Sequence, residues 1–346
     1  MARQEQGLRG KVVVVTGASS GIGRQVCVDL AARGCHVVCA ARRARDLEAT
    51  AALCRNAAPA GAGDLGPLVV PTDVSVEADV RALLDATLSR WGRVDVWVSC
   101  AGTTLFSPLA DASFAEHRRV IETNLFGAML SARAVVPLFR RQRRGILIDV
   151  GSVLSEIGQP FVPSYAISKF GVRGMAESLR VELADEPDIH VCTVYPYAVD
   201  TPHFQTGGNR VGRPARTMPP VQSPEKVSLA IVSLIERPRR ELHVPRLAAL
   251  GVALHRIFPL VTDKLLLHAL REFHFGHAEE GGSAGNLFAP KAGEVGTVHG
   301  HRRPLIGTGA FFAWLVRELA SIQVEAATQP RRRTASPSAR TLSPQP

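Results

Sequence analysis

A short apolar run near the N-terminus, followed at once by a glycine-rich turn, constrains the fold more than any other feature of this sequence. Residues 11–16 read Lys-Val-Val-Val-Val-Thr, a run typical of strands that are buried on both faces of a parallel sheet. Glycines stand at positions 17, 21 and 23, and residues 22–33 then have the pattern of a helix. A buried strand, a glycine turn and a helix in this order predict the first unit of a parallel α/β fold.

The alternation of strand and helix patterns continues to about residue 245. Further strands are predicted over 36–41, 68–72, 94–99, 145–150, 189–194 and 241–244, the last at the edge of the sheet. Helices are predicted over 44–58, 77–91, 114–140, 165–183 and 223–236, and Pro137 is expected to make the end of the third one irregular. This order predicts a doubly wound parallel sheet of the Rossmann type, with about seven strands.

The chain of 346 residues is longer than such a sheet requires. We predict a dinucleotide-binding catalytic domain over 8–245, a helical and loop-containing C-terminal extension over 246–330, and a basic tail over 331–346. The tail contains four arginines, no acidic residue, and many prolines and serines, so it is predicted to be disordered.

Within the extension, residues 246–275 predict two amphipathic helices that are broken at Pro259, residues 281–300 a loop, and residues 310–324 a final helix. Charged residues interrupt the apolar stretch, so a transmembrane helix is not expected. The two helices are expected to cover the substrate pocket, to pack on a partner subunit, or to lie on a membrane surface with their cations at the headgroups.

The glycine turn is the first candidate binding site. Glycine lets the backbone turn sharply and approach a pyrophosphate, which then faces the positive end of the following helix. The residues of the turn expected to contact a dinucleotide are Gly17, Ser19, Ser20, Gly21, Ile22 and Gly23.

The end of the second strand distinguishes between the two nicotinamide dinucleotides. An acidic residue there would bind the 2′-hydroxyl of NAD, whereas arginine accommodates the 2′-phosphate of NADP. The sequence has Arg42 and Arg43 and no acid, which favours NADP(H) over NAD(H). In the alternative interpretation, the two arginines are solvated residues at the start of a helix.

Asp73 follows the third strand and precedes Val74. Its carboxylate is expected to accept a hydrogen bond from the adenine amino group, to cap the helix that begins near Ser75, or to do both.

Tyr165 and Lys169 are four residues apart and therefore share one face of a helix. A phenol has a pKa of about 10, and a nearby ammonium lowers that pKa toward the working range. Ser152 and Asn124 lie upstream. A serine hydroxyl would hold a carbonyl or alcohol oxygen while the tyrosine moves the proton, which indicates hydride-transfer chemistry if a nicotinamide reaches the site.

Jointly, these motifs resemble those of the short-chain dehydrogenase/reductase family over roughly residues 8–245. The matching positions are Thr16-Gly17-x-x-x-Gly21-x-Gly23, Asp73, Ala101-Gly102, Asn124, Ser152 and Tyr165-x-x-x-Lys169. The resemblance implies an oxidoreductase that interconverts an alcohol and a ketone or aldehyde with a nicotinamide cofactor, and family members are often homo-oligomers.

The resemblance also implies a role for each residue of the catalytic set. Tyr165 would be the general acid/base, and Lys169 would lower its pKa and bind the nicotinamide ribose. Ser152 would position the substrate oxygen. Asn124 would maintain a backbone kink and a water that relays protons.

The sequence departs from the family pattern in two places. Ser99-Cys100 precede Ala101-Gly102 where the family usually has two asparagines, although the Ala-Gly pair that lets the cofactor approach is kept. After the sixth strand, Tyr197 follows Pro196 where the family usually has glycine. Tyr197 is expected to change the space beside the nicotinamide, and Pro196 and Thr201 are expected to contact the cofactor.

Apolar residues after Ser152 and after the sixth strand predict a pocket for a lipophilic alcohol or carbonyl compound. Its expected lining is Val153, Leu154, Ile157, Tyr197, Ala198 and Phe204. The alternative is a catalytically weak NADP(H)-binding regulatory or scaffold protein of the same fold, supported only by the two departures.

Other classes of function are not expected. The net charge of +10 is dispersed, and it comes without zinc-finger spacing or an RNA-binding aromatic motif, which argues against nucleic-acid binding. The six cysteines form no C-x-x-C pair, and the histidines and glutamates at 268, 274, 277, 279 and 280 have no recognisable third-ligand spacing, so no metal is predicted. The polar N-terminus leads directly into a strand, which predicts reduced thiols and a cytoplasmic protein, with peripheral membrane contact as an alternative.

Overall fold

A computed structural model of the chain describes residues 7–59, 66–291 and 296–328. Its strands are β1 (Val12–Thr16), β2 (His36–Ala41), β3 (Leu68–Pro71), β4 (Val96–Ser99), β5 (Leu105–Phe106), β6 (Gly145–Val150), β7 (Ile189–Pro196), β8 (Gly208–Asn209) and β9 (Glu241–Val244). Seven of them form one parallel sheet in the order β3-β2-β1-β4-β6-β7-β9. β5 and β8 form a separate parallel pair. The predicted doubly wound sheet is confirmed.

Helices cover both faces of the sheet. They are α1 (Gly21–Ala31), α2 (Ala44–Ala57), α3 (Glu77–Trp91), α4 (Phe114–Ile121), α5 (Gly127–Gln142), α6 (Pro163–Glu182), the short α7 (His203–Thr206) and α8 (Pro224–Glu236). A π-helical turn (Glu122–Phe126) separates α4 from α5, and α5 continues past Pro137 to Gln142. The expectation for this helix was therefore wrong, because its irregular backbone lies at the π turn and not at the proline end.

The core forms two layers, one on each face of the sheet. Val13 and Val15 of β1 pack with Leu30 of α1 in one layer. Val14, between them, packs on the opposite face with Phe139 of α5. Successive side chains of a strand point to opposite faces, so a strand made of consecutive valines is buried only when helices cover both sides.

The carboxyl ends of the parallel strands share one edge of the sheet. β1 lies between β2 and β4, so the connections on its two sides run in opposite directions at this point. Such a reversal opens a crevice outside the strand ends, here called the groove, which is the usual ligand site of doubly wound sheets. The loops that carry Gly17, Ala101, Ser152 and Tyr197 all leave the sheet at this edge.

The extension contributes α9 (Ala248–Ile257), α10 (Pro259–Phe273) and α11 (Thr308–Thr328). The two helices predicted over 246–275, with their break at Pro259, are present. Leu270 of α10 and Phe311 of α11 pack with Met218 in a buried cluster, so part of the extension is held against the segment between β8 and α8.

The opposite side of the first two extension helices exposes apolar side chains, namely Leu250, Leu254, Ile257 and Leu260. Within the described ranges, no helix has both the length and the apolar character needed to cross a membrane. Contact with a partner subunit or with a membrane surface through 246–275 stays a prediction. The predicted disordered tail over 331–346 lies outside the described residues, and the division into domain and extension also stays a prediction.

Candidate active site

The first two turns of α6 bring Tyr165 and Lys169 to the carboxyl edge of the sheet. The Lys169 Nζ atom lies 5.6 Å from the centre of the Tyr165 ring and donates a 2.7 Å hydrogen bond to the carbonyl of Val150, at the end of β6. Ser152 follows β6 and begins a 3-10 turn (Val153–Ser155), where its Oγ accepts from the Leu154 N–H at 3.1 Å. The three predicted side chains are thus held by the end of one strand and the start of one helix.

Burial dominates the titration of this group. It raises the pKa of Tyr165 to about 12, although the hydrogen bond with the Ser152 side chain opposes the rise. Burial also lowers the pKa of Lys169 to about 8, against the opposing influence of Cys100 and Asp149. The pKa of the phenol therefore lies above its usual value, because removal of the phenolate from water is the largest influence on it, and the expected lowering by Lys169 stays a prediction.

Asn124 lies in the π-helical turn, fully inside the protein. Its Oδ1 accepts from the Thr103 N–H at 2.8 Å, and its Nδ2 donates to the Thr103 carbonyl at 2.9 Å and to Ser168 Oγ at 3.0 Å. The side chain therefore joins the loop after β4 to α6. The irregular turn is where the family resemblance places a backbone kink, and the wide turn aims the amide at this loop.

The glycine turn fits tightly against the loop after β4. Gly17 has φ +71°, and a Cβ there would lie 2.8 Å from the backbone of Ala101. The Thr16 hydroxyl accepts from the N–H groups of Cys100 and Ala101 at 3.1 and 3.2 Å. A side chain at Gly23 would overlap the Gly17 carbonyl, so this turn requires glycine at both positions.

The C-terminal extension crosses this turn. We call residues 283–287 and 296–300 the strap. The Gly21 N–H donates to the Thr297 carbonyl at 2.8 Å, and Arg24 donates to the Gly296 carbonyl. The Gly296 N–H in turn donates to Asp46 Oδ1 at 3.1 Å. The strap thus uses the first free N–H of α1, the donor predicted to face a pyrophosphate.

The sequence predicted residues 281–300 only as a loop and missed its contact with the site. Three glycines carry a signal for that contact. A Cβ at Gly285, Gly296 or Gly300 would overlap the backbone of Gly207, Ser19 or Thr201, respectively. Glycines at such spacing indicate close backbone approach, but the sequence does not show what is approached.

Arg42 also contacts the strap. Its guanidinium donates to the Asn286 carbonyl at 2.7 Å and to the Leu287 carbonyl at 3.3 Å. Arg43 forms an ion pair with Asp46 and donates to Ser19 Oγ at 3.4 Å. The alternative of two solvated arginines is wrong, because both guanidinium groups have protein partners.

Asp73 is occupied as well. Its carboxylate accepts from the Ser75 N–H at 3.0 Å and from the Arg119 guanidinium at 2.7 Å, so it caps the turn before α3. Val74, beside it, is buried against Gly127. Arg119 was not predicted as a site residue. It also donates to the Leu287 carbonyl at 3.0 Å, which ties the strap to this end of the groove.

The donors along this groove are of the kind that phosphate oxygens bind. The N–H of Gly21 and the guanidinium of Arg42 both point into the groove and both bind oxygen atoms there, those of the strap carbonyls. Phosphate oxygens are anionic and accept stronger hydrogen bonds from the same donors. Ser20, Ile22, Gly102 and Thr201 lie along the same turn and loops, with Thr201 against Gly21.

The predicted substrate lining divides between two clusters. Leu154 and Phe204 pack with Tyr165 in an aromatic cluster that also contains Phe106, Phe161 and Phe275. Tyr197 and Ala198 instead pack under α10 with Leu270, and the Tyr197 hydroxyl donates to the Pro219 carbonyl at 3.2 Å. Tyr197 therefore points into the helical extension, which gives its ring an apolar environment and its hydroxyl a partner. Val153 is buried and Ile157 half-buried, outside both clusters.

Two histidines of this region were not predicted as parts of the active site. The His203 ring centre is 5.5 Å from that of Tyr165, and the His274 ring centre is 4.8 Å from that of Phe275. Burial lowers the pKa of each imidazole to about 4, so both rings are neutral at physiological pH. Among the described residues, no group of three or more His, Cys, Asp or Glu side chains could hold a metal ion.

Comparison with known proteins gives a consistent result. The family model for short chain dehydrogenase matches residues 11–210. An uncharacterized oxidoreductase, YxnA of Bacillus subtilis, is 33% identical over 276 residues, which cover 79% of this chain and 75% of that protein. The 3beta-hydroxysteroid dehydrogenase 1 of Eggerthella lenta is 37% identical over 196 residues, covering 56% and 73%. The crystal structure of levodione reductase superposes with a TM-score of 0.61 at 25% identity, covering 70% of this chain and 98% of that one.

Replacement of His274 should reduce the sensitivity of the fold to acid. Its folded pKa of about 4 lies below the ordinary value of 6.5, so the stability it supports is complete above pH 6.5 and is lost as the pH falls toward 4. Between pH 6.5 and pH 4, the free energy of unfolding should fall by up to about 3 kcal/mol less in His274→Phe than in the wild type. Urea denaturation at a series of pH values measures the slope of the free energy of unfolding against pH. His277→Phe replaces an exposed imidazole nearby and should leave the slope unchanged; equal slopes in all three proteins would contradict the prediction.

Proposed function

Because the chain belongs to the short-chain dehydrogenase/reductase family, we propose that this oxidoreductase interconverts a lipophilic alcohol and the corresponding ketone or aldehyde with NADP(H). The observation that carries the proposal is the common location of Ser152, Tyr165 and Lys169 between the end of β6 and the start of α6, with the Tyr165 ring packed in an apolar cluster and the Lys169 Nζ 5.6 Å from its centre. Proton transfer to a carbonyl oxygen needs a donor and a second polar group at the same point, shielded from water.

In the reductive direction, the Ser152 hydroxyl would donate a hydrogen bond to the substrate oxygen and orient it toward the phenol. Tyr165 would then give its proton to that oxygen. The charge left on the phenolate would be stabilised by the ammonium of Lys169, which is fixed by its bond to the Val150 carbonyl. Asn124 would keep the loop after β4 in place beside Lys169 through its two bonds to Thr103. The nicotinamide, when bound, supplies the hydride.

The choice of NADP(H) over NAD(H) rests on Arg42. The guanidinium lies at the end of β2, is aimed into the groove and already binds two oxygens. A 2′-phosphate presents anionic oxygens to the same donors, whereas the 2′-hydroxyl of NAD would leave the guanidinium partly unsatisfied. The Gly21 N–H at the start of α1 would hold the pyrophosphate, with Gly17 and Gly102 providing the close approach.

A lipophilic substrate is supported by the side chains around Tyr165. Phe106, Phe161, Phe204 and Phe275 form one continuous aromatic cluster with it, and the nearby imidazoles are neutral. Two of the similar proteins are by name a 3beta-hydroxysteroid dehydrogenase and a levodione reductase. From these two proteins we take only the general chemistry of the proposed substrate, which is an apolar cyclic compound with an alcohol or ketone group.

The strap favours one alternative, a catalytically weak regulatory protein of the same fold. It occupies donors that the proposed cofactor needs, and burial raises the pKa of Tyr165. In that case the groove would bind NADP(H) without turnover. The enzyme proposal instead requires that the strap carbonyls leave when the phosphates arrive.

Removal of the phenolic hydroxyl separates these two functions. Tyr165→Phe should lower kcat by about 10²–10⁴-fold, because the proton donor is lost, while the dissociation constant for NADPH stays within about twofold. Turnover is followed by nicotinamide absorbance with a panel of apolar ketones. Tyr195→Phe is the matched control, since Tyr195 is a buried tyrosine of β7 whose hydroxyl donates to Glu241. Wild-type protein that binds NADPH and reduces no member of the panel would favour the alternative.

Arg42 can be tested independently of turnover. Arg42→Ala should reduce the preference for NADPH over NADH by about 10–100-fold, the effect of losing one or two charge-assisted hydrogen bonds. Equilibrium titration of cofactor fluorescence gives both dissociation constants. Arg45→Ala, at an exposed position of α2, is the control. An unchanged preference in Arg42→Ala would show that Arg42 does not bind the 2′-phosphate.

The strap offers a test of the groove itself. A side chain at Gly296 would overlap the Ser19 carbonyl, so Gly296→Val should push the strap away from the turn and free the Gly21 N–H. NADPH should then bind about tenfold more tightly, because it no longer displaces the strap hydrogen bonds. Gly281→Val, in open space on the same extension, should bind like the wild type. Weaker binding in Gly296→Val would mean that the strap holds the cofactor instead of competing with it.

A further inference from the structure

Asp149 is a buried carboxylate that the proposed mechanism does not use. It lies on β6, paired in register with Ser99 of β4 and Thr193 of β7, and has no exposed surface. Among the described residues, neither carboxylate oxygen has a partner in hydrogen-bond geometry, although the Ser99 hydroxyl is close enough to lower the pKa of Asp149, and the hydroxyl of Thr123 is also without a partner. A buried charge without partners is costly, so this group of unsatisfied polar atoms requires an explanation.

These polar atoms surround a small cavity. Its volume is about 10 Å³, and its lining includes Asp149, Ser99, Thr123, Asn124 and Lys169. A cavity of this size holds one water molecule, and a buried water normally makes two to four hydrogen bonds. The side chains around it offer enough donors and acceptors for that number.

We propose that Asp149 is a positioning residue for proton transfer: through one water bound in this cavity with Ser99, it holds the positive charge on Lys169. The inference rests on the proposed function, in which that charge stabilises the phenolate of Tyr165. Asp149 does not touch the substrate, and its effect on the reaction passes through Lys169.

The other titratable groups around Lys169 do not supply this counter-charge. Burial raises the pKa of the Cys100 thiol to about 12, so it is neutral at physiological pH. His203, on α7, is held neutral by burial and by Lys169 itself. Tyr165 is protonated in the resting protein. Asp149 is therefore the acid facing Lys169 that can carry a negative charge.

The groups facing Asp149 from the other side are Cys192 and Arg180. Burial raises the pKa of Cys192 to about 11, so this thiol is also neutral. The Arg180 guanidinium donates to Thr193 Oγ1 at 2.7 Å and to the Val191 carbonyl at 2.9 Å, so its N–H groups bind acceptors of β7. Burial raises the pKa of Asp149 to about 7 and lowers that of Lys169 to about 8. The charge of each group opposes the effect of burial on the pKa of the other, so the titrations of Asp149 and Lys169 are linked.

The charge on Lys169 can be observed directly by NMR of isotope-labelled lysine side chains in the cofactor-free, full-length protein. The chain has only five lysines, Lys11, Lys169, Lys226, Lys264 and Lys291, and the Lys169→Met variant assigns the signal. Asp149→Asn keeps the size and polarity of the side chain but removes its charge. The titration midpoint of Lys169 should fall by about one pH unit, the effect of losing a nearby opposite charge.

Thr123→Val is the control for a purely structural effect, since it alters the lining of the cavity but leaves both Asp149 and Ser99 in place. Its Lys169 midpoint should stay within about 0.3 units of the wild-type value, below the shift expected for a lost charge. An unchanged midpoint in Asp149→Asn, or an equal shift in both variants, would overturn the proposal.

A second measurement uses only the wild-type protein, so it does not depend on whether a variant at this site folds. Its Lys169 signal should show an additional smaller inflection near pH 7, when Asp149 takes up its proton. A single inflection in the titration curve of Lys169 would contradict an interaction between Asp149 and Lys169. Both measurements are independent of turnover. A protein without reductase activity would contradict the proposed function, whereas the effect of Asp149 on the charge of Lys169 would still be tested by these two measurements.

Discussion

The close approach between the glycine turn and the loop after β4 is the contact on which the site depends. Gly17 meets the backbone of Ala101 where no side chain fits, and the Thr16 hydroxyl binds two N–H groups of the same loop. That loop is then held by Asn124, whose amide reaches α6 and so fixes the helix that carries Tyr165 and Lys169. The turn predicted to bind the cofactor and the residues predicted to transfer the proton are therefore parts of one hydrogen-bonded unit.

Exclusion of water determines the chemistry of that unit. In a buried site each charged form loses hydration, so the pKa of the phenol rises and the pKa of the lysine falls. Fixed partners then matter more than they would at the surface, because charges interact more strongly in a medium of low dielectric constant. Ser152 opposes the shift of Tyr165, and Asp149 opposes that of Lys169. The protonation states of Tyr165 and Lys169 therefore follow from the balance between burial and these two neighbours.

The extension takes part in the site from two directions. Phe275 and His274 follow α10 and pack into the aromatic cluster around Tyr165, and the strap crosses the groove between Arg42 and the glycine turn. Segments that follow the last strand of the sheet therefore cover part of the aromatic cluster and part of the glycine turn.

Much of the fold was determined by the sequence itself. Continuous apolar runs such as that before Gly17 predict strands buried on both faces, and the strands over 36–41, 145–150 and 241–244 agree with the structure to the residue. The order and spacing of the motifs also predicted the candidate catalytic set, in which Tyr165 and Lys169 share a helix face by spacing alone. Only the tertiary structure decided the partners of Arg42, the direction of Tyr197 and the isolation of Asp149. These depend on contacts between residues about 20 to 250 positions apart, and neither periodicity nor local spacing carries information about which distant surface meets a given side chain.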